Sequence, residues 1–439
     1  MAATLRRIEM QLISEQLIAL LIFLATYALL ATGYRERTIA AMAGVGAIWV
    51  FGILSPQEMT SYVDMNAIGL LFGMMIIVGA LREAQFFRWV GVRVANACHC
   101  RPMHLLVVFM LMTAGLSALL DNVTTVLFMV TVTIDIAELA KLDPKPYILS
   151  EIAASNIGGT ATLIGDPPNI MIATATGFSF LDFLVNIGPI SLVALAISVL
   201  YSRREFGKRL MEAGAAAEKE KAGELPIIPS DVAPDRRLLW TGLATLCGAV
   251  VLFSLQEMVG IYPTVVALAA AVILLFVGGP RMPEILREVE WSTLIFFGSL
   301  FIVVGALEKT GWMSLVAQSL APLVGESRIL GVSAVLWISS LTSAFIDNIP
   351  FTASFIPVLT NLGNSSGAAV YPLWWALSAG TGLGGNGTII GASANVIATG
   401  LAQARGVKIT FVEFAKVGMV ILLLTTVVAN LILLARFWG

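Results

Sequence analysis

Two short stretches set a carboxylate beside an amide and a hydroxyl within apolar surroundings: Asp121-Asn122-Val123-Thr124-Thr125 and Asp347-Asn348-Ile349-Pro350-Phe351-Thr352. Two others are rich in glycine. They are Gly158-Gly159-Thr160-Ala161-Thr162-Leu163-Ile164-Gly165-Asp166-Pro167-Pro168-Asn169 and Gly384-Gly385-Asn386-Gly387-Thr388-Ile389-Ile390-Gly391-Ala392-Ser393-Ala394-Asn395. Glycine and proline break helices and free backbone N–H and C=O groups, which with Asn amides and Thr hydroxyls can replace a solute's hydration shell. Carboxylates in such a place can carry a proton or hold a cation. Asp121 and Asp347 also suit a humbler task, since Asp is a preferred helix N-cap.

The elements that must position these groups lie in a bilayer. The 439 residues are 58% hydrophobic and 12% charged, with a mean hydropathy of +0.90. Soluble domains carry about 25% charged residues. Lipid cannot satisfy a freed peptide group, so broken helices persist at mid-membrane only when buried in protein or lining a wet cavity. An intramembrane carboxylate is functional by default. No long basic run points to nucleic acid, and there is no Walker loop, H-E-x-x-H or G-x-S-x-G, so neither ATP hydrolysis nor membrane proteolysis is expected. The three cysteines imply no disulfide framework. Cys98-His99-Cys100 reads as a reduced loop rather than a closed metal site, and no metal or cofactor is expected.

The four stretches are two pairs. Val78-Gly79-Ala80-Leu81 returns as Val304-Gly305-Ala306-Leu307, Asp121-Asn122 as Asp347-Asn348, and Asn169 as Asn395, always 226 residues later. The offset holds without a gap from Val63/Val289 to Asn169/Asn395. Each half offers five apolar spans. In the first these are Leu12–Ala31 (taken as a transmembrane helix rather than a leader), Thr38–Leu54, Ala67–Arg93, Tyr147–Thr174 and Leu181–Tyr201. Their counterparts are Leu238–Leu255, Thr264–Gly278, Trp291–Ala317, Pro372–Gly400 and Ala415–Ala435. Each half adds a re-entrant hairpin of two half-helices, Met103–Ala140 and Ile329–Leu362, whose tips are the Asp-Asn stretches.

The fold expected is thus an all-α polytopic membrane protein with two inverted repeats, 12–202 and 238–436, joined by a cytoplasmic linker at 203–237. An odd number of crossings inverts the second half. With both termini outside a bacterial-type inner membrane, 21 of the 26 basic residues fall on the cytoplasmic side. Paired broken helices in inverted halves point to a transporter's binding site. Asp166 faces Ala392 in the repeat and Glu151 faces Leu377, so both join Asp121 and Asp347 as candidates for proton or cation coupling. The segments 102–140, 146–202 and 329–404 contain no Lys or Arg, which favours a cation, a proton or a neutral polar solute over a polyanion.

The D-N-x-x-T tip at 121–125, G-T-x-x-x-x-G-D-P-P-N at 159–169 and G-N-G-T-I-I-G-A-S-A-N at 385–395 resemble the ion-transporter superfamily, closest to ArsB-type arsenite/antimonite permeases and P-protein-like permeases. The resemblance implies a scaffold and a mobile unit moving in an elevator-like fashion. It also implies a solute site of Asn122, Thr124, Gly159, Thr162, Asn169, Asn348, Thr352, Gly385, Thr388 and Asn395. The reading that follows is a non-enzyme, a proton-coupled exporter of arsenite or antimonite, whose neutral trihydroxy form matches Asn and Thr groups. A sodium/proton antiporter and an anion or dicarboxylate symporter are the alternatives. A homodimer and a docked soluble ATPase are the macromolecular partners left open.

Overall fold

The computed structural model describes residues 2–32, 36–98, 101–220, 235–278, 281–366 and 370–437, and among these every regular element is helical. The first half runs α1 (Ala2–Thr32), α2 (Arg37–Val50), α3 (Pro56–Tyr62), α4 (Met65–Glu83), α5 (Phe86–Ala97), α6 (Pro102–Leu119), α7 (Asn122–Ala140), α8 (Lys145–Thr160), α9 (Pro167–Thr176), α10 (Phe180–Asn186) and α11 (Gly188–Glu220). The second runs α12 (Arg236–Ser254), α13 (Gln256–Val259), α14 (Pro263–Gly278), α15 (Met282–Arg287), α16 (Trp291–Lys309), α17 (Trp312–Glu326), α18 (Arg328–Ser343), α19 (Asn348–Ser366), α20 (Tyr371–Gly384), α21 (Ser393–Ala404) and α22 (Phe411–Phe437). Six described helices are long and apolar enough to cross a membrane, and α9 with α10 forms a further pair bent by 115°.

The 226-residue offset reappears in the element boundaries. It separates the starts of α2 and α14, α3 and α15, α4 and α16, α7 and α19, and α9 and α21. The packing obeys the same exchange: α4 lies on α14 as α16 lies on α2, and α6 on α8 as α18 on α20. One bundle gathers α1, α2, α4, α12, α14 and α16. The other gathers α6 to α9, α11 and α18 to α22.

Three expected spans are cut. The span expected over Ala67–Arg93 ends at Ala84, where Arg82, Glu83 and Gln85 interrupt its apolarity; the chain takes a left-handed turn at Gln85 (φ 62°) and restarts as α5. In the second half Gly311 (φ 83°) makes the same turn between α16 and α17. Leu181–Tyr201 divides into α10, started by a reciprocal Ser179–Asp182 cap, and α11. Helix α11 itself continues to Glu220, so the stretch read as a linker begins as a helical extension, and residues 221–234 lie outside the described structure. Of the Cys98-His99-Cys100 motif only Cys98 is described.

Each Asp-Asn stretch joins two antiparallel helices, but those of the first half are longer than the half-helices expected, and each is among the six able to cross a membrane. Helices α6 and α7 have 18 and 19 residues, about 27–28 Å each at 1.5 Å per residue. Direction follows from contacts. Tyr147 at the start of α8 bonds the Pro102 carbonyl and Ser117 bonds that of Ser155, so α6 and α8 run parallel. Thr133 of α7 meets Glu151 while the Asn122 carbonyl meets Ser155, so α7 runs back antiparallel to both.

Small residues make these contacts close enough for backbone to touch backbone. A Cβ on Gly158 would stand 2.2 Å from the Ala114 carbonyl oxygen, and one on Gly382 would stand 2.0 Å from the Thr160 hydroxyl. At the far end of α16, Lys309 bonds Glu58 and with the Ser55 N–H holds that carboxyl down to about 2. The contact therefore stays charged until pH falls through that value, although an exposed pair of this kind contributes little.

The packing generates a stability test. Gly158→Ala forces α6 from α8 against a backbone atom that cannot rotate away, and is expected to cost about 1–3 kcal/mol. Gly46→Ala, with nothing within 4 Å of its new methyl, should not lower stability. Thermal unfolding in detergent, followed by size-exclusion chromatography, compares the two; an equal melting temperature would refute the close-packing account.

Candidate functional site

The sharp ends of the two hairpins meet at one side chain. Asp166 occupies the position before α9, where the helix interrupted after Thr160 resumes at Pro167-Pro168; proline suits this first turn because it has no N–H to leave unpaired. Its carboxylate is 1% exposed. Asn122, first residue of α7, donates its amide N–H to Asp166 Oδ1 at 3.1 Å. Asn348, first residue of α19, donates to Oδ2 at 3.0 Å. Two amides from opposite repeats thus hold one carboxylate that only the first repeat possesses. No cationic side chain hydrogen-bonds to it among the described residues.

The residues preceding those amides act as caps and more. Asp121 receives the Thr124 N–H at 2.8 Å and so satisfies one of the unpaired donors at the start of α7. Asp347 receives the Ile349 N–H at 3.1 Å and, on its other oxygen, the Ser393 hydroxyl. Both Asp side chains are half-buried. The humbler capping role and a place at the centre therefore coexist. Thr124 faces a small recess shared with Arg82, Glu288 and Glu290.

The remaining residues expected to hold solute have their polar atoms engaged by the protein. Asn169 donates to the carbonyls of Thr160 (3.0 Å) and Thr162 (2.8 Å) and accepts from Ser378 (2.7 Å). Asn395 donates to Gly385 (2.6 Å) and Thr388 (2.8 Å) and accepts from Asn156 (3.0 Å). These amides fill the places that the broken helices leave open, as buried peptide groups require. Thr162 and Thr388 each donate to a hairpin carbonyl at 2.5 Å, of Ala118 and Ala344, tying break to tip in both halves. Thr352 bonds the Asn348 carbonyl within its own helix. Gly159 and Gly385 let the break fold on itself, a Cβ on Gly159 meeting the Gly165 carbonyl oxygen at 2.7 Å.

Glu151 does not join the group. It lies fully buried in α8 with Oε1 receiving the Thr133 hydroxyl at 2.6 Å and Oε2 without a hydrogen-bond partner among the described residues. Nine residues of helix, about 13 Å, separate it from the break after Thr160.

One participant is new. Arg37 opens α2 and reaches across the seam to the Ser393 hydroxyl, while its other terminal nitrogen bonds Thr293 at 3.1 Å. It faces a cavity of about 640 Å3 lined also by Glu36, Glu290, Phe296, Phe345, Asp347 and Ser393. The absence of Lys and Arg from segments 102–140, 146–202 and 329–404 is correct as sequence, yet a guanidinium arrives from outside them. Only its place at the edge of an apolar run signalled it.

A family model described as "CitMHS: Citrate transporter" matches residues 27–380. A 46 kDa membrane protein of Mycobacterium leprae is 36% identical over 428 residues, covering 96% of this chain and 98% of its own. An uncharacterized transporter of Mycobacterium bovis is 35% identical over 432 residues, with the same coverage. The human P protein is 32% identical over 497 residues, which span 95% of this chain and 59% of that longer protein. In fold, the crystal structure of the Alcanivorax borkumensis YdaH transporter superposes with a TM-score of 0.59 at 12% identity, covering 97% and 98% of the two chains.

The clamp on Asp166 predicts a coupling energy. Asn122→Ala and Asn348→Ala each strip one donor from a buried carboxylate and should destabilise by about 1–3 kcal/mol. In an Asp166→Ala background the same changes should cost much less, because the acceptor has gone. Chemical unfolding of the three single and two double variants closes both cycles; additive losses would mean that the amides serve something other than Asp166.

Proposed function

Since the chain belongs to the CitMHS citrate transporter family, we propose that it is a proton-coupled secondary transporter in which the hairpin-bearing bundle carries a small solute past the other bundle. The observation that carries this reading is Asp166, a buried carboxylate held by amides of both hairpins with no cation bonded to it. Burying such a group charged and alone costs several kcal/mol. A proton that joins it on one side of the membrane and leaves on the other removes that cost at the moment of passage. Asn122, Asn348 and Asp166 surround the exchange point; Asp121 and Asp347 flank it.

The solute favoured is small, hydroxylated and without negative charge, of the arsenite or antimonite class. The cavity beside the tips carries the carboxylates of Glu36, Glu290 and Asp347 against the single guanidinium of Arg37. A free polyanion would meet net repulsion there. With the basic side as the cytoplasmic side, this cavity opens inward and the termini lie outside. A second reading, a carboxylate such as citrate, draws on the family's description and on Arg37, the residue type best suited to carboxylates.

Inside-out vesicles energised by a proton gradient separate these readings. Arsenite uptake that collapses with a protonophore is the expected result. Citrate uptake in its place favours the second reading, and Na+- or Li+-induced proton release without either favours an antiporter. Asp166→Asn, which cannot bind and release the proton, should reduce gradient-driven uptake at least about 100-fold while leaving the protein folded. Full pH-dependent transport by that variant would exclude Asp166 as the carrier.

A further inference from the structure

The two hairpin tips occupy equivalent places, but among the described residues only the second has a cation hydrogen-bonded into its relay. Arg37 donates to the Ser393 Oγ, and Ser393 donates its own hydrogen to Asp347 Oδ2. The positions 226 residues away from Arg37 and Ser393 are Pro263 and Pro167, neither of which can donate or accept through a side chain. The relay therefore exists on one tip only. It also crosses the seam: Arg37 belongs to the bundle of α2 and α16, and Ser393 and Asp347 belong to the bundle of α19 and α21.

We propose that Arg37 is a positioning residue for transport, forming with Ser393 and Asp347 a charge-controlled latch that holds the hairpin bundle in the position seen here and lets go when Asp347 is neutralised. The inference rests on the two-bundle reading above. Its logic is the direction of the hydrogen bonds. A serine hydroxyl has one hydrogen. Accepting from Arg37, Ser393 must spend that hydrogen on an acceptor, and the free oxygen of Asp347 supplies it while ionised; the other oxygen already holds the Ile349 N–H. A proton on Oδ2 turns that acceptor into a donor, so the serine hydrogen loses its acceptor and the negative charge that anchors Arg37 across the seam is gone.

Arg37 is not stranded when this happens. Its second nitrogen already bonds Thr293, whose hydroxyl donates to Glu290 at 2.9 Å, and its guanidinium lies 5.4 Å from the Phe296 ring centre. All three partners sit on α16 or just before it, within Arg37's own bundle. The latch therefore exchanges partners instead of exposing a buried charge. The titratable and charged groups around Asp347 are Arg37, Glu36 and Glu290 along the cavity, Tyr27 of α1, which bonds the neighbouring Pro350 carbonyl at 2.6 Å, and Asp166 beyond Asn348.

The test reads position rather than transport. Val396 lines the same cavity and is 49% exposed. In a chain with Cys98, Cys100 and Cys247 replaced by serine, Val396→Cys is labelled with a membrane-impermeant maleimide in sealed inside-out and right-side-out vesicles. The parent should label from the Arg37 side, faster at pH 8 than at pH 5.5 after correction for the reagent's own pH dependence. Arg37→Gln should slow labelling about tenfold at pH 8 and erase the pH dependence, as a shift of a two-state population by one such contact would. Ser393→Ala, which keeps both charges and cuts the relay, should do the same, and Arg37→Lys should restore part of the pH response. Labelling of Arg37→Gln and Ser393→Ala at the parent's rate and pH profile overturns the latch. Equal labelling of the parent from both faces overturns the two-bundle reading on which it stands.

Discussion

Everything at the centre of this molecule is arranged around one carboxylate. Asp166 receives amide N–H groups from Asn122 and Asn348, and so from two hairpins that begin more than 200 residues apart in sequence. For both tips to reach the same two oxygens, α6 must lie against α8 and α18 against α20 at backbone distance. Gly158 and Gly384, each facing the backbone of its neighbour, make that approach possible. An ionised group so placed gains from two neutral hydrogen bonds far less than it loses by leaving water. That imbalance is the basis for proposing Asp166 as a proton carrier, and both tips touch the group concerned.

The repeat supplies a frame, and departures from it supply the chemistry. Helix starts agree at a single offset, the threonines that tie break to tip agree (Thr162 with Thr388), and the asparagines that fill the breaks agree (Asn169 with Asn395). Those shared residues spend their polar atoms on the protein. The residues without a counterpart are the ones with something left to offer: Asp166 where the second half has Ala392, Ser393 where the first has Pro167, and Arg37 where the second has Pro263. One half thus contributes the central carboxylate and the other half's tip is wired to the opposite bundle.

Much of this was legible in the sequence because glycine, proline and acidic residues are conspicuous in apolar stretches. The tips, the breaks and the lone Asp166 were all found that way. Backbone partners leave no such trace: that Thr162 and Thr388 would be absorbed by the carbonyls of Ala118 and Ala344 could not be read from side-chain types. Arg37 escaped for a different reason. At the edge of an apolar run an arginine reads as an interfacial anchor, and its contact with Ser393 spans 356 positions. The cut at Gln85 did leave a sign, since Arg82, Glu83 and Gln85 interrupt the apolar run, but the left-handed turn itself depends on one residue's backbone.

The distribution of ties also says where the molecule can move. Within the hairpin bundle, every helix break is filled by an asparagine, every tip is bonded to the adjoining break, and Asn122 and Asn348 join the two halves through Asp166. Shifting a tip alone would uncover several buried peptide groups at once, each costing on the order of 1–3 kcal/mol. At the border the described polar contacts to α19 and α21 come from Tyr27 and Arg37, with Ser314 of α17 also bonding Asn361 at 3.4 Å; Tyr27 and Arg37 each have a serine among their partners that can turn elsewhere. Rigid within and lightly pinned at its border, the hairpin bundle suits the displacement proposed above. Under that proposal a neutralising proton at its centre would lower the cost of moving it through an apolar surround. The same physical event, charge removed from a carboxylate, can thus both ready the bundle for passage and loosen its hold on the other bundle.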